Sequence, residues 1–280
     1  MINLGKRNIL TVARAVDFGV YVSDEAGNEV LLPARYVDES MSIGSEVDVF
    51  VYNDSEDRLV ATTEVPLAMV NEVAYLEVVD AGRIGAFLDW GLAKDLLVPL
   101  REQKTPMRVG KKYPVYIYLD NASGRIVASA KIEKFLGNVI PRYKRGDRVN
   151  IMIWKPAEIG MQCVVDNLHK GMLYDNQTFR FLQPGMKMEA WVSKVRDDGK
   201  IDLRLDPPRS GRERSERLAD TILRAIVDNH GVLELTDRSS PDEIKRTFQC
   251  SKRDFKQAVG HLLKSKKIEQ TQRGLILLTE

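Results

Sequence analysis

Apolar side chains alternate with polar ones in three stretches of the chain, and each stretch begins after a turn glycine. Downstream of Gly44, Gly110 and Gly185, apolar residues recur at every second position. This period is that of a β-strand with one face in a core. The inward positions are Val47, Val49 and Val51 in the first stretch, Tyr113, Val115 and Ile117 in the second, and Met188, Ala190 and Val192 in the third. A polar turn then leads into RLVATT, RIVASA or KIDLRL, so the pattern predicts a β-hairpin in each stretch.

The three hairpins lie in a longer internal repeat. In each copy a strand glycine, which is Gly19, Gly85 or Gly160, precedes the turn glycine by 25 residues. Further positions recur in the same frame: Pro33, Pro99 and Tyr174 follow the strand glycine by 14 residues, and Arg58, Arg125 and Lys200 follow the turn glycine by 14 or 15. Fixed spacing of several features indicates copies of one structural unit. About five strands in fewer than about 70 residues is the size of a small closed barrel.

The C-terminal residues follow a helical period instead. The spacing of the apolar residues predicts a helix over 214–228, and Ser240-Pro241-Asp242-Glu243 combines an N-cap serine, a proline at the first helical position and a glutamate at the third. Ser251 opens another helix, whose predicted apolar face consists of Phe255, Ala258, Val259, Leu262 and Leu263. With a short strand at 232–235 and a hairpin over 268–278, the order is typical of a winged helix-turn-helix domain.

The residues of the first copy resemble a known domain. The run Asp17-Phe18-Gly19-Val20-Tyr21-Val22, followed by Leu31-Leu32-Pro33 and a basic hairpin strand, resembles the S1 RNA-binding domain, which is an OB-fold barrel. Three such repeats and the C-terminal module are similar to the bacterial conserved virulence factor B family. The most specific segments are VRDDGKIDLRL and LTDRSSPDEIKRTFQCSKRDFKQAVGHLLKSKKI.

This resemblance implies a fold and a function. The fold is mainly β with a C-terminal α+β module: three tandem S1/OB-fold five-stranded barrels at 1–66, 67–138 and 139–207, then a winged helix-turn-helix domain at 214–280. The segment Pro207-Pro208-Arg209-Ser210-Gly211 is predicted to be a short linker. The family resemblance implies RNA binding with a post-transcriptional regulatory role and no enzyme activity.

Composition excludes several other classes of protein. The two cysteines, Cys163 and Cys250, lie far apart, which excludes a disulfide framework and, with three scattered histidines, argues against a zinc site. The sequence shows no phosphate-binding glycine loop and no nucleophile motif, so we expect no cofactor. No apolar run approaches the ~20 residues of a membrane helix, and the N-terminus lacks a signal-peptide pattern. We therefore expect a cytoplasmic protein without membrane contact.

Charge is distributed unevenly along a chain whose net charge is only +2. Residues 1–70 carry 12 acidic and 5 basic side chains, whereas residues 207–280 carry 11 acidic and 15 basic ones. Because neutralisation of phosphates supplies most non-specific affinity for nucleic acids, we expect residues 139–280 to bind RNA more strongly than residues 1–138.

The candidate RNA-binding residues follow from this charge distribution and from the family pattern. In the third barrel they are Lys170, Tyr174, Lys194, Arg196 and Lys200, and in the winged helix they are Lys252, Arg253, Lys256, Lys264 and Arg273. We predict one continuous basic surface from the third barrel onto the winged helix. Secondary candidates are Phe18 and Tyr21 of the first barrel, which match the S1 positions for base stacking, and Phe87 and Arg125 of the second.

Two questions stay open at the level of the sequence. The aromatics of the acidic first copy either stack on bases or pack between barrels. A second set of aromatics lies on the outward phase of its strands and needs a partner, which is a neighbouring barrel or, slightly less favoured, a nucleic acid. These residues are Phe50, Tyr116 and Trp191. The leading function is binding of single-stranded RNA. The alternatives are a winged-helix regulator of transcription that binds DNA, and an adaptor that binds a protein partner through its winged helix.

Overall fold

The computed structural model describes residues 1–175, 181–207, 211–271 and 274–278. The first of its barrels closes in the order β1-β2-β3-β5-β4. Its strands are β1 (Arg7–Val16), β2 (Gly19–Ser23), β3 (Glu29–Pro33), β4 (Glu46–Asn53) and β5 (Leu59–Thr62). As the period-two pattern predicts, Val47, Val49 and Val51 are buried in its core.

The second and third copies repeat this strand order. The second copy has β6 (Val73–Ala81), β7 (Gly85–Asp89), β8 (Leu96–Pro99), β9 (Lys112–Leu119) and β10 (Ile126–Ser129). Its strands form a sheet ordered β10-β9-β6-β7-β8, and β8 and β10 pack side by side where the ring opens. The third copy, a closed barrel ordered β11-β12-β13-β15-β14, has β11 (Arg148–Ala157), β12 (Gly160–Val165), β13 (His169–Tyr174), β14 (Lys187–Val195) and β15 (Ile201–Arg204). These barrels confirm the predicted fold class.

The repeated strand glycine has a steric cause. Gly19 lies directly across from Pro33, and Gly85 lies directly across from Pro99, which explains the recurring separation of 14 residues. A Cβ atom added at Gly19, Gly85 or Gly160 would lie 2.2, 2.2 or 2.0 Å from a carbonyl oxygen of the neighbouring strand. A side chain at this position would force the two strands apart, so the close approach of the backbones requires glycine.

The outward aromatic of the first barrel is covered by the second barrel. Phe50 on β4 is fully buried, and its ring meets Trp90 edge to face with 5.7 Å between the centroids. Phe50 and Tyr52 share one apolar core with Leu88 and Val98 of the second barrel. The preference for a neighbouring barrel is therefore confirmed for Phe50.

The other two outward aromatics differ in their surroundings. Tyr116 stacks on Phe135, which follows the second barrel, with 4.1 Å between the ring centroids. Trp191 is half-buried. The same position of the repeat thus contacts another barrel in the first copy and Phe135 in the second.

Polar contacts also join the first two barrels. Lys94 Nζ donates a hydrogen bond of 2.6 Å to the Asp54 carbonyl, and burial lowers the pKa of Lys94. The Arg125 guanidinium forms an ion pair with Asp57 of the first barrel. Arg125 is therefore part of the contact between the barrels, and its role at a nucleic acid stays a prediction.

The C-terminal module has the predicted order of elements. Its helices are α1 (Gly211–Asp228), α2 (Pro241–Phe248) and α3 (Lys252–Lys264), and its strands are β16 (Val232–Leu233), β17 (Ile268–Thr271) and β18 (Gly274–Leu277), ordered β16-β18-β17. The Ser240 hydroxyl accepts from the Glu243 N–H at 3.2 Å, and the Glu243 carboxylate accepts from the Ser240 N–H at 2.8 Å. This reciprocal capping confirms the predicted start of α2.

The apolar face of α3 is narrower than predicted. Phe255, Ala258, Val259 and Leu262 are buried, but Leu263 is 37% exposed. The remaining surface of α3 is polar and available to solvent.

Contacts divide the chain into two compact units. One contains Met1–Ile140, Val164–His169 and Pro184–Lys187, and the other contains Pro141–Cys163, Lys170–Gln183 and Met188–Glu280. Within the first unit, the Asn167 side-chain oxygen accepts from the Val73 N–H at 3.0 Å. Cutting the chain after residue 138 would break this bond, so charge variants of the full chain test the binding site better than separated halves. Among the described helices, none combines the length and the apolar character needed to cross a membrane.

Candidate nucleic-acid interface

The outer face of β13 brings several of the predicted residues together. Lys170, Met172 and Tyr174 are half-buried and alternate with the buried Gly171 and Leu173, as expected for a strand with one face in the core. β15 runs parallel to β13 with Asp202 beside Met172. On the other side of β15, Lys194 of β14 lies opposite Asp202 in the strand register. The three strands thus share an outer face that carries cations and the Tyr174 ring.

Asp202 organises this face, and the sequence reasoning missed it. The Tyr174 hydroxyl donates to Asp202 Oδ1 at 3.0 Å, and Arg196 Nε donates to the same oxygen at 2.8 Å. The Arg196 guanidinium lies 5.9 Å from the centre of the Tyr174 ring, within range of a cation–π contact. The available signal was the position of Asp202 between two apolar residues of the same strand, Ile201 and Leu203, which places it on the outer face.

The predicted cations of the third barrel fall into two groups. Arg196 is paired with Asp202, and Lys200 is paired with Asp198 at 2.7 Å. The hydrogen bond from the Lys200 side chain holds the pKa of Asp198 below its usual value. Within residues 139–175 and 181–207, Lys170 and Lys194 have no carboxylate in ion-pair range. Their charges are therefore the ones available to a polyanion.

The predicted surface of α3 is present. Arg253, Lys256, Gln257, Gly260 and Lys264 are all exposed, opposite the buried apolar face. They form a cationic helix face of the kind that contacts phosphates.

Two lysines of α3 make contacts of their own. Lys252 is half-buried and donates to the Arg238 carbonyl at 3.4 Å. Lys256 Nζ lies 3.9 Å from Asp237. Arg273 and most of the 207–211 linker lie outside the described residues, so the structure leaves the predicted wing contact and the linker as expectations.

The first barrel presents exposed or half-buried aromatic rings beside Arg14, whose charge is neutralised by an ion pair with Glu29. Phe18 is 57% exposed, so the alternative that it packs between barrels is wrong. The Arg14 guanidinium lies 3.7 Å over the Tyr21 ring and is held by Glu29 at 2.9 Å. Sequence reasoning did not select Arg14, although strand register places it opposite Tyr21.

The equivalent face of the second barrel is acidic. Phe87 is half-buried and lies across from Asp80. Loss of hydration and the neighbouring Asp89 and Asp80 carboxylates raise the pKa of Asp95. Clustered carboxylates beside Phe87 repel phosphate. They therefore disfavour the stacking of a nucleotide base on the Phe87 ring.

Comparison with known families agrees with the fold. Residues 4–64 and 72–131 match the S1 domain, and residues 220–277 match the CvfB-like winged helix domain. These are families of nucleic-acid-binding domains.

Curated relatives are similar in sequence to this chain over most of their length. YitL of Bacillus subtilis is 27% identical over 275 residues, which cover 95% of this chain and 91% of YitL. Conserved virulence factor B of Staphylococcus saprophyticus is 27% identical, covering 91% of this chain and 87% of that protein. A crystal structure of a multidomain protein with nucleic acid binding domains from Streptococcus pneumoniae is 24% identical, covers 98% of both chains and superimposes with a TM-score of 0.42.

Proposed function

From the premise that this chain belongs to the conserved virulence factor B family, we propose that it is a non-enzymatic, cytoplasmic regulatory protein that binds single-stranded RNA. The proposal keeps the division into three S1 barrels and a winged helix at 1–66, 67–138, 139–207 and 214–280. It places the main binding surface on the third barrel and the winged helix.

The proposal is supported chiefly by the cations and the aromatic ring on the outer face of the third barrel. Lys170 and Lys194 offer charge without an ion-pair partner among the described residues of that barrel, and Tyr174 offers a half-buried ring beside them. Proteins that bind single strands combine cations for the backbone with aromatic rings on which bases stack, and each stacked base contributes about 1–3 kcal/mol. The Tyr174 ring is fixed by its hydrogen bond to Asp202, so little side-chain entropy is lost when a base stacks on it.

The exposed face of α3 is the second part of the proposed RNA-binding surface. We propose that Lys252, Arg253 and Lys256 continue the basic surface that starts at Lys170, Tyr174, Arg196 and Lys200. Two weak sites on one chain reinforce each other through effective concentration. A protein with a net charge of only +2 gains affinity in this way without a large uniform charge.

Competition between nucleic acids tests the function. Labelled 20-nucleotide single-stranded RNA is bound to the full chain and displaced with unlabelled single-stranded RNA or with duplex DNA of equal length. We expect RNA to compete at concentrations about tenfold lower, because bases in a single strand can stack on side chains. Stronger competition by duplex DNA would favour the transcription regulator, and an absence of salt-dependent binding would favour the protein adaptor.

Gly260 gives a test of where the strand or duplex approaches α3. A Cβ atom added there meets nothing within 4 Å, and alanine in a helix interior is more stable than glycine by about 0.5–1 kcal/mol. We expect Gly260→Ala to stabilise the protein by that amount in urea denaturation and to weaken RNA binding several-fold, because the added methyl group separates the helix backbone from the ligand. Thr221→Ala, at an exposed position of α1, is the control that also raises helix propensity but leaves α3 unaltered. Unchanged affinity in Gly260→Ala would show that no ligand approaches this part of α3 closely.

A further inference from the structure

The second barrel carries a basic depression outside the surface described above. It lies where the β8–β9 connection enters β9 and has a volume of about 500 Å³. Its walls are Thr105, Pro106, Arg108, Lys111, Lys112 and Tyr113. Half of these residues are cations, and all three cations are exposed. We refer to these six residues as the basic depression.

The internal repeat shows that the cluster of three cations belongs to this copy alone and is not required by the fold. Arg108, Lys111 and Lys112 occupy the positions two before, one after and two after the turn glycine. The same positions are Ser42, Ser45 and Glu46 in the first copy and Gln183, Met186 and Lys187 in the third. All three copies fold into the same strand order, so the strand order does not depend on cations at these positions.

The cations are held on fixed backbone and are largely uncompensated. The Gly110 N–H donates to the Val78 carbonyl at 2.8 Å, and the Arg108 N–H donates to the Tyr113 hydroxyl at 3.2 Å. Lys112 lies 3.8 Å from Glu77, whereas Arg108 and Lys111 have no ion pair among the described residues. A site whose backbone is already ordered loses little entropy when an anion binds.

The basic depression is separate from the Phe87 face of the same barrel. β6 lies between β9, which carries Lys112 and Tyr113, and β7, which carries Phe87. Acidic side chains of this region, among them Asp80 opposite Phe87 and Glu77 opposite Lys112, stand between the two sites. A phosphate drawn to the cations is therefore kept away from the stacking position of the barrel.

We propose that the basic depression binds the phosphodiester backbone of a single-stranded nucleic acid, as an auxiliary site that reads no bases. The depression is open, and its cations lie along the loop at 108, 111 and 112, which suits successive phosphates of an extended strand better than one enclosed nucleotide. Because the charge sites on the third barrel and α3 remain dominant, this site adds affinity and length to the contact. The inference rests on the proposed function.

The test is a salt titration of the full chain bound to a 20-nucleotide oligouridylate. Arg108→Gln/Lys111→Gln removes the two cations that have no ion-pair partner among the described residues, so no carboxylate loses its partner. We expect binding about 3- to 10-fold weaker and a log–log salt slope smaller by about 1.4, the value for two lost phosphate contacts on a single strand. The matched control is Arg217→Gln/Arg224→Gln, which removes two exposed arginines of α1 and should leave the slope unchanged.

The outcomes separate this inference from the proposed function. If the unaltered chain binds with a normal salt dependence and Arg108→Gln/Lys111→Gln matches it in affinity and slope, the auxiliary site is wrong and the proposed function stands. An equal loss in the α1 control would mean that only net charge matters, which also overturns the site. If the unaltered chain does not bind the oligouridylate at all, both proposals fall.

Discussion

Replacing Phe50 with alanine should lower the free energy of unfolding by about 3–5 kcal/mol, the cost of removing a fully buried phenylalanine from a packed core. Phe50 has no exposed surface, and it lies in one apolar core with Trp90 and Val98 of the second barrel. The cavity would open where the two barrels meet. Urea denaturation of the full chain, followed by circular dichroism, measures the change.

Two further variants show whether the loss belongs to the contact between barrels. Ile9→Ala removes an aliphatic side chain from the same sheet, but Ile9 is 71% exposed, so we expect a change within about 0.5 kcal/mol. A double-mutant cycle between Phe50 and Trp90, whose ring centroids are 5.7 Å apart, should give a coupling of about 0.5–1.5 kcal/mol. A coupling near zero, or a Phe50→Ala cost no larger than that of Ile9→Ala, would contradict a shared core.

Local rules account for what the sequence could predict. The buried positions of β4 follow from a period of two, and the start of α2 follows from Ser240 and Glu243, which lie three residues apart. In both cases the interacting groups are close in the chain, so their geometry is set by the element itself. The strand glycines were also found, because a repeat shows the same steric need three times.

Contacts between distant residues account for what was missed. The sequence presents Arg125 as a cation near the hairpin, but its partner Asp57 is 68 residues away on another barrel. The sequence does not single out Asp202, although Asp202 joins Tyr174 of β13 to Arg196, which follows the end of β14. No property of a single strand shows which outward charge meets its opposite, since that depends on the register between strands and the packing of barrels.

Reversing the charge at Lys252 and Arg253 should have the largest effect on RNA binding. The double variant Lys252→Glu/Arg253→Glu replaces two cations of the α3 surface with two anions that repel phosphate. We expect affinity for single-stranded RNA to fall about 10- to 100-fold at physiological salt, with a log–log salt slope smaller by about 1.4. Fluorescence anisotropy across a range of salt concentrations measures both quantities.

The same substitution should not weaken the fold. Lys252 and Arg253 are the first two residues of α3 after the Ser251 N-cap, where the helix dipole disfavours cations and favours anions by about 0.3–1 kcal/mol each. Both residues lie off the buried apolar face, and the half-buried Lys252 loses only its 3.4 Å bond to the Arg238 carbonyl. Basic residues at this end of a helix therefore do not serve helix stability, which is the physical reason to assign them to a ligand.

A control with the same change of charge decides between a local and a global effect. Arg217→Glu/Arg224→Glu reverses two exposed arginines of α1, whose apolar residues Ile222 and Ile226 pack in the core with α3. If the α3 surface contacts phosphate, the α1 variant should lose less than about threefold in affinity at physiological salt, where the Debye length is about 8 Å. Equal losses in the two variants would point to net charge alone. An unchanged slope in Lys252→Glu/Arg253→Glu would remove α3 from the RNA site and leave the winged helix as a surface for a protein partner.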